Sequence, residues 1–376
     1  MQKVRSVNFR LIGNLKCRNS EWNRVSPRLY STKKNVIALF DAKPFDYKYM
    51  DELSEKFKEL NYEIQYIPAR LLPETVSLAQ NAKIVVPMVN DKLDQQVIER
   101  LKSYGTEMIA IKAAGFNNVD LQTCDRIGIS VTRVPAYSPY AVAELAITLI
   151  MSLNRKIPQT YNKTKIGDFR LTNAMIGFDM HGKTVGVIGT GKIGKIMCNI
   201  LQGFGCKVLG YDLWKDKELL QRPNFKYVEL DELYARSDII SLHSPLLPST
   251  EHLINKNAIS KMKKGVMIIN TSRGGLIDTH DLIDGLKEGK VGYAGLDVYE
   301  GEGEYFFNNW SEQVINDDVL SRLLSFNNVI VTSHQAFYTH EALQNIFQTT
   351  LANITEFANG KRMDQLTNSL NFMNKK

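Results

Sequence analysis

The 376-residue chain has only four cysteines, Cys17, Cys124, Cys198 and Cys206, and none sits at C-x-x-C or metal-ligand spacing. The scatter excludes a cysteine metal centre and a dithiol redox motif, and the expectation is reduced thiols used as small apolar fillers. Nothing in the cysteine usage points to an oxidising compartment. No run of about eighteen apolar residues is free of charge, so no membrane span is expected. Neither a low-complexity block nor a repeat with shared motifs is present. What remains is a hydrophobic content of 44% with 23% charged residues, the composition of a globular chain long enough for two domains.

Acidic residues are nearly missing from one place. Residues 1–30 hold seven Lys/Arg and a single acid, Glu21, and so carry +6 of the total net charge of +7. The basicity is local, which removes most of the support that an alkaline isoelectric point would lend to nucleic-acid binding. The segment is Arg-rich, includes Ser6, Ser20 and Ser26, and lacks a long apolar centre. It resembles a mitochondrial transit peptide, with Arg28-Leu29-Tyr30-Ser31 matching an arginine-minus-three cleavage pattern after Tyr30. The expected location is therefore the mitochondrial matrix, or the cytoplasm if the segment is not an import signal.

The most informative stretch is V-G-V-I-G-T-G-K-I-G over 185–194, followed eighteen residues later by Asp212 at the end of K-V-L-G-Y-D. An apolar strand feeds a glycine turn, the turn opens a helix, and the next strand ends in a carboxylate. Gly189 permits the tight turn, Gly191 lets backbone approach a pyrophosphate, and Gly194 lets helix and strand pack closely. The helix N-terminus near Lys192 and Ile193 offers unpaired N–H groups to phosphate. Asp212 can accept from both adenosine ribose hydroxyls and would repel a 2′-phosphate, so NAD is the expected cofactor.

Apolar runs at 35–41, 62–67, 83–88, 108–112 and 129–134 read as strands, with helical spacing at 49–59 and 93–104 between them. A long helix over 138–154, begun by Ser138 and Pro139, leads into a second series. Its strands fall at 184–188, 207–211, 239–242, 266–270, 293–297 and 329–332. Its helices fall at 192–203, 230–236, 257–261 and 279–288. A last helix at 341–359 returns to the first series. The predicted fold is α/β, with two Rossmann-like, doubly wound parallel-sheet domains. The NAD domain (138–334) is inserted into a discontinuous substrate domain (35–137 and 335–376).

Ligands of open parallel sheets bind beyond the carboxyl ends of the strands. Three ionisable residues follow strands there: Arg273 in N-T-S-R-G-G-L-I-D, Glu302 in D-V-Y-E-G-E, and His334 in V-T-S-H-Q-A-F-Y. A guanidinium can grip a carboxylate with its planar fork. An imidazole can give a proton to a carbonyl oxygen, and a carboxylate can orient that imidazole. Together, near a nicotinamide, they suit reduction of a 2-keto acid.

On these segments the chain resembles the D-isomer-specific 2-hydroxyacid dehydrogenase family from about 35 to 360. Four further stretches are similar to the fermentative D-lactate dehydrogenases of bacteria: A-G-F-N-N-V-D (114–120), V-P-A-Y-S-P-Y-A-V-A-E (134–144), S-L-H-S-P-L (241–246) and T-S-H-Q-A-F-Y-T-H-E-A-L (332–343). The resemblance implies Arg273, Glu302 and His334 as the catalytic three, and it selects Glu302 over Glu300. It implies that the N–H groups of Ala114 and Gly115 meet the substrate carboxylate and that Tyr137, Phe337 and Tyr338 line a small pocket. It also places Ser244 and Pro245 on the adenosine side, Thr271 and Ser272 beside the nicotinamide, and Asp297 on the carboxamide. The implied reaction is D-lactate + NAD ⇌ pyruvate + NADH, in a homodimer joined through the nucleotide domain, with the 138–154 helix suited to that contact. A bulkier 2-keto acid and an NAD-sensing corepressor are the alternatives. The family's R-N-V-G is replaced here by Lys112-Ala113-Ala114-Gly115.

Overall fold

The computed structural model describes residues 34–372, so the expected leader peptide and Cys17 lie outside the described residues. The first sheet has five parallel strands, β1 (Asn35–Leu39), β2 (Tyr62–Tyr66), β3 (Ala82–Val86), β4 (Met108–Ala110) and β5 (Ser130–Thr132), in the order β2-β1-β3-β4-β5. The second sheet has seven strands: β6 (Thr184–Ile188), β7 (Lys207–Tyr211), β8 (Phe225–Tyr227), β9 (Ile239–Leu242), β10 (Val266–Asn270), β11 (Val291–Leu296) and β12 (Val329–Val331). They run β12-β11-β10-β9-β6-β7-β8, again all parallel. The direction of winding reverses at β1/β3 in the first sheet and at β6/β9 in the second. Those are the switch points at which α/β sheets bind ligands.

The central strands are apolar without alternation because helices cover both faces. Every residue of β10 (V-M-I-I-N) is buried. The first sheet carries one core on each side, one built with Phe57, Phe347 and Phe357, the other with Phe40, Leu71 and Leu101. The second sheet is likewise enclosed on two sides. The helix His340–Ala358 follows the second sheet but packs with the first, and the C-terminal segment bridges Thr132 through Ser369. The chain thus enters the first sheet, builds the second and returns, as the sequence predicts.

Local capping explains several element boundaries. Ser138 Oγ accepts from the N–H of Ala141 at the head of helix Pro139–Asn154. Asp120 caps a helix over Leu121–Ile127, and Gly128 ends it in the left-handed conformation. The expected elements include no helix there. The predicted 49–59 helix is instead two short ones, Pro44–Asp51 and Ser54–Glu59. Helix Pro139–Asn154 buries eight residues inside its own chain. Tyr140 on this helix is exposed, and a cluster of exposed apolar side chains follows it at Ile157, Tyr161, Ile166, Phe169, Leu171 and Ile176. The described cysteines are free and buried, and burial pushes the thiols of Cys124 and Cys198 up to about 12 and that of Cys206 to about 11, which keeps them inert.

Candidate active site

The glycine turn is built by contact. Gly189 has φ 89°, and a Cβ there would come within 2.6 Å of the His243 carbonyl and 2.8 Å of the Ser244 nitrogen. A Cβ on Gly194 would lie 1.9 Å from the Gly189 oxygen, so only glycine lets helix Lys192–Gly203 seat on β6. Gly191 differs, because a Cβ there would meet no protein atom within 4 Å. Its face opens on a groove also lined by Lys192, Ile193, Pro135, Tyr137 and His243. The helix starts at Gly191 with no side-chain cap, so its first amides face that groove unclaimed by any cap. Asp212, at the end of β7, accepts from the Thr190 N–H (2.6 Å) and from the Trp214 N–H (3.0 Å), fixing the acid beside the turn.

Three enclosed polar atoms near this groove have no partner among the described residues: Ser244 Oγ, Thr271 Oγ1 and His243 Nδ1. Buried polar atoms of this kind are ordinarily satisfied. An open glycine face, free helix amides, a carboxylate fixed beside the turn and orphaned donors and acceptors together fit a dinucleotide. Pro245 is exposed at the edge of the same loop, and its carbonyl accepts from Thr250. Ser272 is engaged by the protein, with its hydroxyl on the Leu242 carbonyl (2.9 Å).

The groove shares Ala114 and Tyr137 with a narrower pocket lined by Gly115, Arg273, His334, Phe307, Phe337 and Met88. Here the structure brings the three ionisable residues together. His334 Nδ1 lies 2.6 Å from Glu302 Oε1, and the other Glu302 oxygen accepts from the Tyr299 N–H (2.9 Å). The second imidazole nitrogen is left for the pocket. Arg273 pairs with no carboxylate among the described residues, and its Nη1 donates to the Ser272 carbonyl (2.7 Å). Its Nη2 rests where a Cβ of Gly115 would stand, 2.4 Å away. Glu300 points elsewhere, holding His252 Nε2 (2.6 Å) and the Thr279 hydroxyl (2.6 Å). Burial raises the Tyr137 phenol above its ordinary range, which keeps it neutral.

Two expectations need correction. Asp297 is fully buried, and its carboxylate accepts from Thr332 Oγ1 (2.5 Å), Gln335 N (2.9 Å) and Ala336 N (3.0 Å). It presents no exposed oxygen to a carboxamide. It builds the turn that carries His334, whose N–H donates to the Asp297 carbonyl (2.7 Å) and whose φ of 52° is left-handed. Tyr338 is 55% exposed and packs edge-on against Phe45, facing outward, whereas its neighbour Phe337 turns in. Phe307 and Met88 complete the apolar wall instead, and sequence reasoning missed both. Lys112 supports the pocket floor, with its ammonium 2.7 Å from the buried Asp46 carboxylate.

Residues 147–336 match the model of the D-isomer specific 2-hydroxyacid dehydrogenase, NAD binding domain. The chain belongs to the D-isomer specific 2-hydroxyacid dehydrogenase family. It is an NAD-dependent oxidoreductase. A 2-hydroxyacid dehydrogenase homolog of Haemophilus influenzae is 48% identical over 325 residues, 86% of this chain and 97% of that protein. The apo-structure of D-lactate dehydrogenase from Escherichia coli superposes with a TM-score of 0.79 at 43% identity, covering 89% of this chain and 99% of that one. The NAD-complexed D-isomer specific 2-hydroxyacid dehydrogenase of Lactobacillus delbrueckii ssp. bulgaricus covers 89% of this chain and 100% of its own, with TM-score 0.72 and 32% identity.

Proposed function

We propose that this dehydrogenase interconverts pyruvate and D-lactate. The observation that carries the reading is a guanidinium with no carboxylate partner among the described residues and a carboxylate-held imidazole, both facing one narrow pocket walled by Phe307, Phe337 and Met88. The similarity to the Escherichia coli enzyme supports the same substrate. Lys192, Ile193, Asp212 and the Ser244 and Thr271 hydroxyls would hold NADH in the groove, which would supply the hydride.

The protein's own groups do the rest. Arg273 grips the substrate carboxylate, joined by the N–H groups of Ala114 and Gly115, which fixes the carbonyl carbon toward the groove. His334 gives its Nε2 proton to the carbonyl oxygen, and in the reverse direction it takes that proton from the hydroxyl. Glu302 holds Nδ1–H, sets the ring's orientation and stabilises the imidazolium. Positioned proton transfer of this kind contributes roughly 10²–10⁴ in rate. The apolar wall favours a methyl group, although one methylene alters discrimination by only about 1–3 kcal/mol. Residues 35–137 and 335–376 would carry the substrate side, and 138–334 the cofactor side. Stereospecific product analysis after incubation with pyruvate and NADH, run beside phenylpyruvate and hydroxypyruvate, tests the reading. L-lactate, or faster turnover of the bulkier acids, would overturn it.

Two further parts of the reading concern assembly and place. The exposed apolar side chains between Ile157 and Ile176 suit burial against a second copy, giving a homodimer. A Phe169→Glu/Leu171→Glu chain should then sediment as a monomer. Residues 1–30 would direct import into mitochondria. N-terminal sequencing of protein from cells should find a chain beginning at Ser31, and one beginning at Met1 would argue against import.

A further inference from the structure

The backbone between Glu302 and Phe307 carries a group of the site at each end. Glu302 opens a one-turn helix, Glu302–Tyr305, and Phe307 forms part of the pocket wall. This segment follows β11 of the second sheet, yet it is held by cations of the first. Arg70, in the loop after β2, donates through Nη1 to the Gly303 carbonyl and through Nη2 to the Phe306 carbonyl (3.0 Å). Lys43, in the loop after β1, donates through Nζ to the Phe307 carbonyl (3.2 Å). The same ammonium lies 2.7 Å from Asp41, whose side chain is only 2% exposed, so it is anchored from behind. Arg70 forms no ion pair among the described residues, which leaves its fork entirely to the carbonyls. Phe307 has φ 67°, a left-handed conformation that a residue with a Cβ keeps only when its surroundings impose it.

We propose that Arg70 and Lys43 are positioning residues for the reaction. From the opposite sheet they fix the 303–307 backbone, and so hold the Phe307 ring at the substrate and the Glu302 carboxylate on His334. The inference rests on the pyruvate reading for its substrate, but the clasp itself is defined by geometry. Replacing Lys43 would strand the buried Asp41 carboxylate, so Arg70 is the residue to change. Arg70→Met keeps an unbranched apolar stem and removes both donors.

The test uses the full chain. Arg70→Met should lower kcat/KM for pyruvate by roughly 10- to 100-fold, as expected for losing charge-assisted hydrogen bonds. The loss should appear in both kcat and KM, while the NADH dissociation constant, read by fluorescence titration, stays unchanged. Amide hydrogen exchange in 303–307 should accelerate without substrate, while exchange in Val266–Asn270 stays as in the parent. Arg70→Lys, which keeps one donor group, should fall between. Parent-like kcat/KM, or parent-like exchange at 303–307, would overturn the proposal. A parent enzyme inactive on pyruvate but with exchange at 303–307 that responds to Arg70→Met would instead retire the substrate reading and leave the clasp standing.

Discussion

Gly115→Ala offers a sharp perturbation because the three atoms nearest the new Cβ all belong to the Arg273 side chain. The new Cβ would stand 2.4 Å from Arg273 Nη2, 3.4 Å from its Cζ and 3.8 Å from its Nε. Gly115 is not among the glycines held at positive φ, so alanine fits its backbone without strain. The tip of Arg273 must therefore retreat by about 1 Å to regain ordinary contact. A shift of that size at a substrate-positioning group costs on the order of 10²-fold, and losing one arm of an arginine–carboxylate pair costs roughly 10-fold or more. The expected outcome is a KM for pyruvate raised between about 10- and 100-fold. NADH affinity should hold, because the glycine turn and Asp212 are untouched. Initial rates of NADH consumption across a pyruvate series measure the first, and NADH fluorescence titration measures the second. A KM within about three-fold of the parent would refute the idea that this guanidinium grips the substrate.

Other expectations follow from the same geometry. Gly191→Ala meets no protein atom within 4 Å, so the fold should be retained while the NADH dissociation constant rises about ten-fold or more, and unchanged NADH binding would show that no pyrophosphate lies against that face. His334→Gln should cut kcat by about 10² or more with NADH affinity intact, and survival of turnover within a few-fold would remove His334 as the proton donor. Asp212→Ala should relax discrimination against NADPH, measured as the ratio of kcat/KM for the two cofactors, and an unaltered ratio would assign that choice to another group. Burial holds the His243 imidazole down to about 4, against about 6.5 in an unfolded chain. The unfolded state therefore binds the proton first as pH falls. The stabilisation is whole above pH 6.5 and is lost toward pH 4, by about 3 kcal/mol at the acid end. Urea melts across that window should show a shallower slope for His243→Gln, and a parent-like slope would refute the assignment.

The sequence by itself determined the α/β class, the glycine turn with its carboxylate partner, and the strand-end positions of Arg273, Glu302 and His334. These are legible because they depend on local pattern. A parallel strand buried on both faces is continuously apolar, a tight turn demands glycine at fixed spacing, and ligands meet such sheets at their carboxyl ends. Only the tertiary structure decided which nearby groups share a pocket. Glu300 and Glu302 are two residues apart, yet one meets His252 and the other His334. Phe337 and Tyr338 are adjacent, yet one faces inward and the other outward. Asp297 ends a strand as a binding residue would, yet it is consumed in shaping the His334 turn. Phe307, Arg70 and Lys43 carry no motif at all, because their significance lies in contacts between segments more than two hundred residues apart, which no local spacing encodes.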